Sequence, residues 1–150
     1  MMESGLKALH VLGVVLWVGG MAFALLVLRP SLGVLEPPQR LALHGQVFAR
    51  FFRIVWHAMP LILLTGYGML FGVYGGFGSV DVAVHIMHLF GLIMTAVFVY
   101  IFFVPWPAMR AALEAGDRAA AAAATDRIRK LITLNLVLGL LTVVIAPFGP

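Results

Sequence analysis

The sequence contains no cysteine. A disulfide, a thiolate metal site and a cysteine-bound iron–sulfur cluster are therefore all excluded. Charge is scarce as well, because Asp, Glu, Lys and Arg together make up 11% of the chain. The six carboxylates lie outside the long apolar segments or at their edges, so no buried carboxylate pair exists for acid–base hydrolysis. Phosphate-binding loops, dinucleotide-binding fingerprints and zinc-protease motifs are also absent.

Apolar residues are what the chain has in excess. They make up 63% of its 150 residues, and the mean hydropathy is +1.07. Soluble domains are nearer about 45–50% apolar, so the surplus must face lipid. Four apolar segments, at 6–28, 54–74, 82–104 and 131–147, approach the roughly 20 residues that a helix needs to cross a bilayer. They lack the alternation of barrel strands, so the sequence predicts an all-α, integral membrane four-helix bundle in one domain.

The basic residues predict the orientation of this bundle. Of the ten, all but Lys7 belong to the connections 29–53 and 105–130, and the second connection, "YGGFGSVD", has none. The positive-inside rule therefore places 29–53 and 105–130 in the cytoplasm and both termini in the periplasm, as in a multi-pass protein of the bacterial inner membrane. In the first segment, Trp17, Gly19 and Gly20 lead into further apolar sequence, so we expect it to be a retained membrane span and not a cleaved signal peptide.

The distribution of the basic residues also bears on partners. The net charge of +4 is spread over these connections and forms no single patch. We therefore expect a lipid bilayer around the protein and no nucleic acid partner.

Three histidines are predicted at similar depth in the outer leaflet. His10 lies three residues inward from Lys7, ~4.5 Å below the outer boundary at the rise of a helix. His85 and His88 follow Asp81 on the antiparallel third helix, at depths of ~6 and ~10 Å, and their spacing puts them on one face. Ionisable side chains are costly in hydrocarbon and usually functional there. These histidines therefore form a candidate metal or cofactor site.

Three further residues are candidates around this site. Met87 lies between the two histidines of the third helix and could add a thioether ligand. Trp17 is too deep for an interfacial aromatic belt and is expected to pack against a ligand. His57, in "RIVWHAMP" near the cytoplasmic end of the second helix, has no intramembrane histidine partner at its depth. It is either structural or a ligand of a second cofactor.

Long stretches of the chain resemble two families of bacterial membrane proteins. "LKALHVLGVVLWVGGMAFALLVLRPSL" resembles the first helix of CopD-family proteins, "RFFRIVWHAMPLILLTGYGML" their next helix, and "TDRIRKLITLNLVLGLLTVVIA" their last. The same opening, together with "HIM" from His85, is similar to the HemJ family. Together these stretches cover most of the chain.

The two resemblances imply different functions. CopD-like proteins are associated with copper uptake or resistance, and HemJ-like proteins with haem b binding and protoporphyrinogen oxidation. The HemJ resemblance implies that His10 is a haem ligand. HemJ-like proteins typically have a lysine where this chain has Met87, and CopD-like proteins often have an acidic residue where it has Asn135.

The leading prediction is a small b-type cytochrome. His10 would be one axial ligand of haem b and His85 or His88 the other, with Trp17 beside the ring. Two histidine ligands leave no open iron position, which favours electron transfer with a quinone or a periplasmic redox protein. Any enzymatic activity would be that of a haem-dependent oxidoreductase, and the protein could form a homo-oligomer.

Three alternatives stay open. The first is copper handling, with His10, His85 and His88 as ligands and Met87 or Met21 as stepping ligands for Cu(I). The second is an accessory subunit of a respiratory complex that holds no cofactor. The third is a HemJ-like protoporphyrinogen oxidase in which His88 takes the place of the lysine.

Overall fold

The computed structural model of the protein describes all 150 residues, and it consists of helices and short connections. Its helices are α1 (Met2–Val34), α2 (Pro37–Gly72), α3 (Val82–Phe103), α4 (Pro105–Glu114) and α5 (Arg118–Ile145). By length and composition, α1, α2, α5 and the combined α3–α4 segment (Val82–Glu114) could each cross a membrane. The predicted all-α fold with four membrane-length helices is therefore confirmed.

The helices are longer than the apolar segments of the sequence. The connection predicted at 29–53 is almost entirely helical, and the chain leaves the helical path only around Leu35 and Glu36. Pro37 follows at the first position of α2, where a missing N–H costs nothing. The Glu36 backbone N–H donates to the Gln39 side chain at 3.1 Å and forms half of a capping box. Hydropathy marks where a helix meets lipid, whereas these capping groups mark where the helix begins.

The other turns have equally local causes. The chain bends at Val104, immediately before Pro105, which separates α3 from α4. Gly116 adopts a φ of 69° in the turn after α4, a value that favours glycine. The Asp117 side chain then accepts a hydrogen bond from the Ala120 backbone N–H at 3.1 Å and caps α5.

The bundle is most tightly packed where α1 meets α2 and where α5 meets α3 and α4. At Gly13 an added Cβ would lie 2.6 Å from the Cγ1 atom of Ile62, so a larger residue there would push α1 away from α2. By contrast, α2 and α3 contact each other little. Space is therefore left between them.

Apolar side chains dominate the outer surface. Val15, Leu64 and Val144 expose 60%, 73% and 66% of their surface. Such exposure over every long helix suits contact with lipid tails and not with water. The protein is thus a multi-pass membrane protein.

Candidate functional site

A cavity of about 180 Å³ lies where α2 and α3 separate, and all four long helices contribute to its wall. It occupies the half of the bundle that contains the amino-terminal end of α1. Its wall includes two histidines and four methionines, namely His10, Met59, Met69, Met87, His88 and Met94. The cavity therefore offers imidazole and thioether groups inside the membrane-spanning region.

Glycines make room at the cavity wall. An added Cβ at Gly66 would lie 3.2 Å from the Cε1 atom of His10, closer than side chains normally pack. At Gly139 it would lie 2.8 Å from the Cγ2 atom of Val18. Both glycines line the cavity, so larger side chains at these positions would displace its wall.

His10 makes a hydrogen bond that favours one tautomer of its ring. Its Nδ1 atom lies 3.0 Å from the Thr65 hydroxyl oxygen, and that hydroxyl donates to the Leu61 carbonyl at 2.6 Å. Because the single hydroxyl proton is used there, the Thr65 oxygen accepts a hydrogen bond from the Nδ1–H of His10. The Nε2 atom of His10 then keeps its lone pair, which is the form that ligates a metal.

His88 is held by an aromatic pair and one hydrogen bond. Its Nε2 atom lies 2.8 Å from the Tyr67 hydroxyl oxygen, and its ring packs edge-on against the Tyr67 ring with centroids 5.5 Å apart. The Phe77 ring approaches from another side at 5.0 Å. The Nδ1 atom of His88 makes no hydrogen bond within the chain. It is therefore the nitrogen that His88 can offer to a ligand while Tyr67 stays bound.

The structure brings some of the other predicted residues into this cavity. Trp17 and Met87 line it, and the buried Trp17 ring packs edge-on against Phe98 at 6.2 Å. His85 is exposed, does not line the cavity and stacks on Phe77 at 5.9 Å. The predicted set of His10, His85 and His88 is therefore divided, with two of the three at the cavity.

Two further candidates lie away from the cavity. His57 is exposed, and its Nδ1–H donates to the Arg53 carbonyl at 2.7 Å, within the same helix. Met21 is buried in the core, with 1% of its surface exposed, and does not line the cavity. Neither residue shares a site with His10.

Several cavity residues were missed by sequence reasoning. Met94 follows Met87 by seven residues, and this spacing places both on one face of α3, so the signal was available. Tyr67 and Thr65 carried no comparable signal, because their partners lie on other helices at long separation in sequence. Such pairs become visible only when helix rotation is known.

The cavity is poor in hard ligands. No group of three or more His, Cys, Asp or Glu side chains in the protein could hold a metal ion. Zinc sites are built from several Cys, His, Asp or Glu side chains, and hard cations such as Ca²⁺ and Mg²⁺ prefer oxygen ligands. Neutral imidazoles with several thioethers instead form a soft donor set.

Comparison with known proteins gives one match. The family model described as copper resistance protein D matches residues 45–148, which is more than half of the chain. The matched range contains Tyr67, Met87 and His88 but not His10. No curated protein and no solved structure matches the chain. The comparisons therefore favour the copper alternative and give no support to the prediction of haem b, electron transfer or oxidoreductase activity.

Proposed function

The chain belongs to the copper resistance protein D (CopD) family, and on that premise we propose that it handles copper by binding Cu(I) in the cavity between its helices. One observation carries this proposal. Two histidines and four methionines from three different helices line the same cavity. Copper is the cargo here, and the protein supplies a soft site for it within the membrane.

The ligand chemistry favours Cu(I) over other metals. Thioether sulfur is a soft ligand that selects Cu(I), and imidazole also binds copper. All of these ligands are neutral, so a bound monovalent ion would keep its single positive charge. A charge in hydrocarbon is costly unless it is well coordinated, which favours transient occupancy over storage.

The proposed ligands have distinct roles. His10 presents Nε2, because Thr65 occupies its Nδ1 atom. His88 presents Nδ1, because Tyr67 occupies its Nε2 atom. The methionines Met59, Met69, Met87 and Met94 supply sulfur along the wall, and Trp17 closes one side of the cavity.

We also propose an orientation. All basic residues except Lys7 lie within residues 29–53 and 105–130, and none of them lines the cavity. By the positive-inside rule, the cavity would then lie near the outer face of the inner membrane. Copper would then enter from the periplasmic side. The termini of the chain would face the same side.

A Cu(I) titration tests the proposal. The purified protein is titrated anaerobically in detergent against a chromogenic Cu(I) chelator, alongside His10→Ala and the matched variant His57→Ala. We expect His10→Ala to weaken Cu(I) binding more than tenfold, since even ligand-supporting residues contribute about 10–100-fold to metal affinity. His57→Ala should bind like the unaltered protein, because His57 lies away from the cavity.

Two results would overturn the proposal. One is equal Cu(I) affinity in all three proteins. The other is a sharp Soret band, with split α and β bands after dithionite reduction, in protein purified from haem-replete cells. That spectrum would restore the b-type cytochrome prediction.

A further inference from the structure

A second pocket, of about 300 Å³, lies at the end of the bundle opposite the copper cavity. It is formed by the carboxy-terminal part of α1, the first turns of α2 and the early part of α5. Its charged and titratable residues are Arg29, Arg40, His44, Asp126 and Arg129. Nothing in the proposed copper function uses these residues.

The pocket has an excess of positive charge. Its three arginines face one carboxylate, that of Asp126, which leaves a formal charge of +2 before His44 is counted. Asp126 is already paired with Arg129 and, at 3.0 Å, with Lys130. The carboxylate therefore neutralises only part of the positive charge around the pocket.

Arg40 is held in a fixed orientation at the pocket. Its Nε–H donates to the Leu35 carbonyl at 2.7 Å, and its Nη2 group donates to the Gly33 carbonyl at 3.4 Å. These bonds cap the end of α1 and leave the Nη1 group without a partner. A guanidinium fixed in this way loses little entropy when it binds an anion.

The Arg29 side chain has no partner within the protein. It is exposed, and its guanidinium makes neither a hydrogen bond nor an ion pair. It follows directly after a π-helical segment, Ala24–Leu28, whose side chains Ala24, Leu25 and Leu28 line the same pocket. Segments of π-helix are rare and are frequently found at functional sites.

We propose that this pocket binds a phosphate group whose negative charge is not neutralised by a cation in the same molecule. Arginine forks match phosphate oxygens in geometry and charge, and Arg29 and Arg40 both have free N–H groups to donate. The pocket borders the lipid-facing surface, since Leu26 and Val27 beside Arg29 are 67% and 51% exposed. Basic pockets between membrane helices bind anionic headgroups. The phosphate is carried either by an anionic lipid or by a soluble molecule.

Native mass spectrometry of the full chain in detergent tests this proposal. Dioleoylphosphatidylglycerol, dioleoylphosphatidylcholine and inorganic phosphate are the probes. We expect a one-to-one adduct with phosphatidylglycerol that exceeds the phosphatidylcholine adduct by about fivefold, the contribution of one basic side chain near an anionic headgroup. Arg29→Gln should reduce this adduct by about the same factor and leave the helical circular dichroism unchanged, because Arg29 holds no other residue.

Controls separate the pocket from general surface charge. Arg50→Gln removes an exposed arginine of α2 that does not line the pocket, and it should leave the adduct unchanged. Arg129→Gln should reduce the phosphatidylglycerol adduct, and Lys130 should remain paired with Asp126 in that variant.

Displacement of the lipid by millimolar inorganic phosphate identifies a soluble phosphate as the ligand, whereas resistance to displacement identifies the lipid. Equal adducts with both lipids and no phosphate binding, or an equal loss in Arg50→Gln and Arg29→Gln, would overturn the proposal.

Discussion

The two ends of the bundle share three helices but offer opposite chemistry. The cavity has imidazoles and thioethers, and no arginine, lysine or carboxylate lines it. The pocket at the other end has three arginines and no methionine. Helices α1, α2 and α5 contribute to both. One chain therefore carries two chemically distinct cavities, and the two proposals rest on this difference.

Aromatic side chains separate the two sites. Trp17, on the cavity wall, packs against Phe98, which packs against Phe52 at 5.9 Å. Phe52 stacks in turn on Phe48 at 5.4 Å, and Phe48 lines the basic pocket. This row of packed rings therefore lies between the two sites.

The largest predicted effect comes from breaking that row. Phe52 is 1% exposed, so Phe52→Ala leaves a void where its ring was. We expect a loss of about 3 kcal/mol in the free energy of unfolding, the lower range for Phe→Ala in packed cores. Titration with sodium dodecyl sulfate, followed by circular dichroism, measures this loss.

Phe23→Ala is the matched control for that change. Phe23 is 57% exposed toward the lipid, and its removal leaves no internal void. Its unfolding free energy should stay close to that of the unaltered protein. Equal losses in the two variants would show that the aromatic row is not tightly packed.

A smaller effect is expected from the hydrogen bond that holds His88. Tyr67→Phe keeps the ring and removes only the hydroxyl that lies 2.8 Å from His88 Nε2. Loss of such a supporting bond typically lowers metal affinity by about tenfold. The same Cu(I) competition titration measures it. The control Tyr100→Phe removes a hydroxyl that is hydrogen-bonded to Arg127 and should leave the Cu(I) affinity unchanged. Equal Cu(I) affinity in the two variants would argue against His88 as a copper ligand.

The fold was largely predictable from the sequence, because hydropathy alone identifies segments that must face lipid. The helix ends were not predictable in this way. Residues 29–53 were expected to connect two helices, yet most of them are helical, since capping by Glu36 and Pro37 allows α2 to begin far outside its apolar segment. A hydropathy profile contains no information about the residues that cap a helix.

The candidate site was predictable only in part, because the sequence does not give the rotation of each helix about its axis. Depth estimates placed His10 and His88 at similar levels, and both line the cavity. Depth does not give the direction of a side chain, so His85 was included although it stacks on Phe77 outside the cavity. The supporting Tyr67 hydroxyl comes from a helix whose rotation the sequence leaves open.

Asn135 shows a further limit of sequence reasoning. It is 1% exposed, its amide donates to the Met94 carbonyl at 3.0 Å, and its Oδ1 atom has no partner. On α5 it lies between Ile132 of the basic pocket and Gly139 of the cavity. The sequence placed Asn135 within an apolar segment, but only the structure shows that it ties α5 to α3 between the two sites.

Copper K-edge X-ray absorption of the Cu(I)-loaded protein tests the central proposal most directly. If the cavity holds the ion, the spectrum should contain both sulfur and imidazole nitrogen neighbours. The sulfur contribution should fall in the triple variant Met59→Leu, Met87→Leu and Met94→Leu, which conserves side-chain volume. A spectrum with only nitrogen and oxygen neighbours, unchanged in that variant, would contradict copper binding in the cavity.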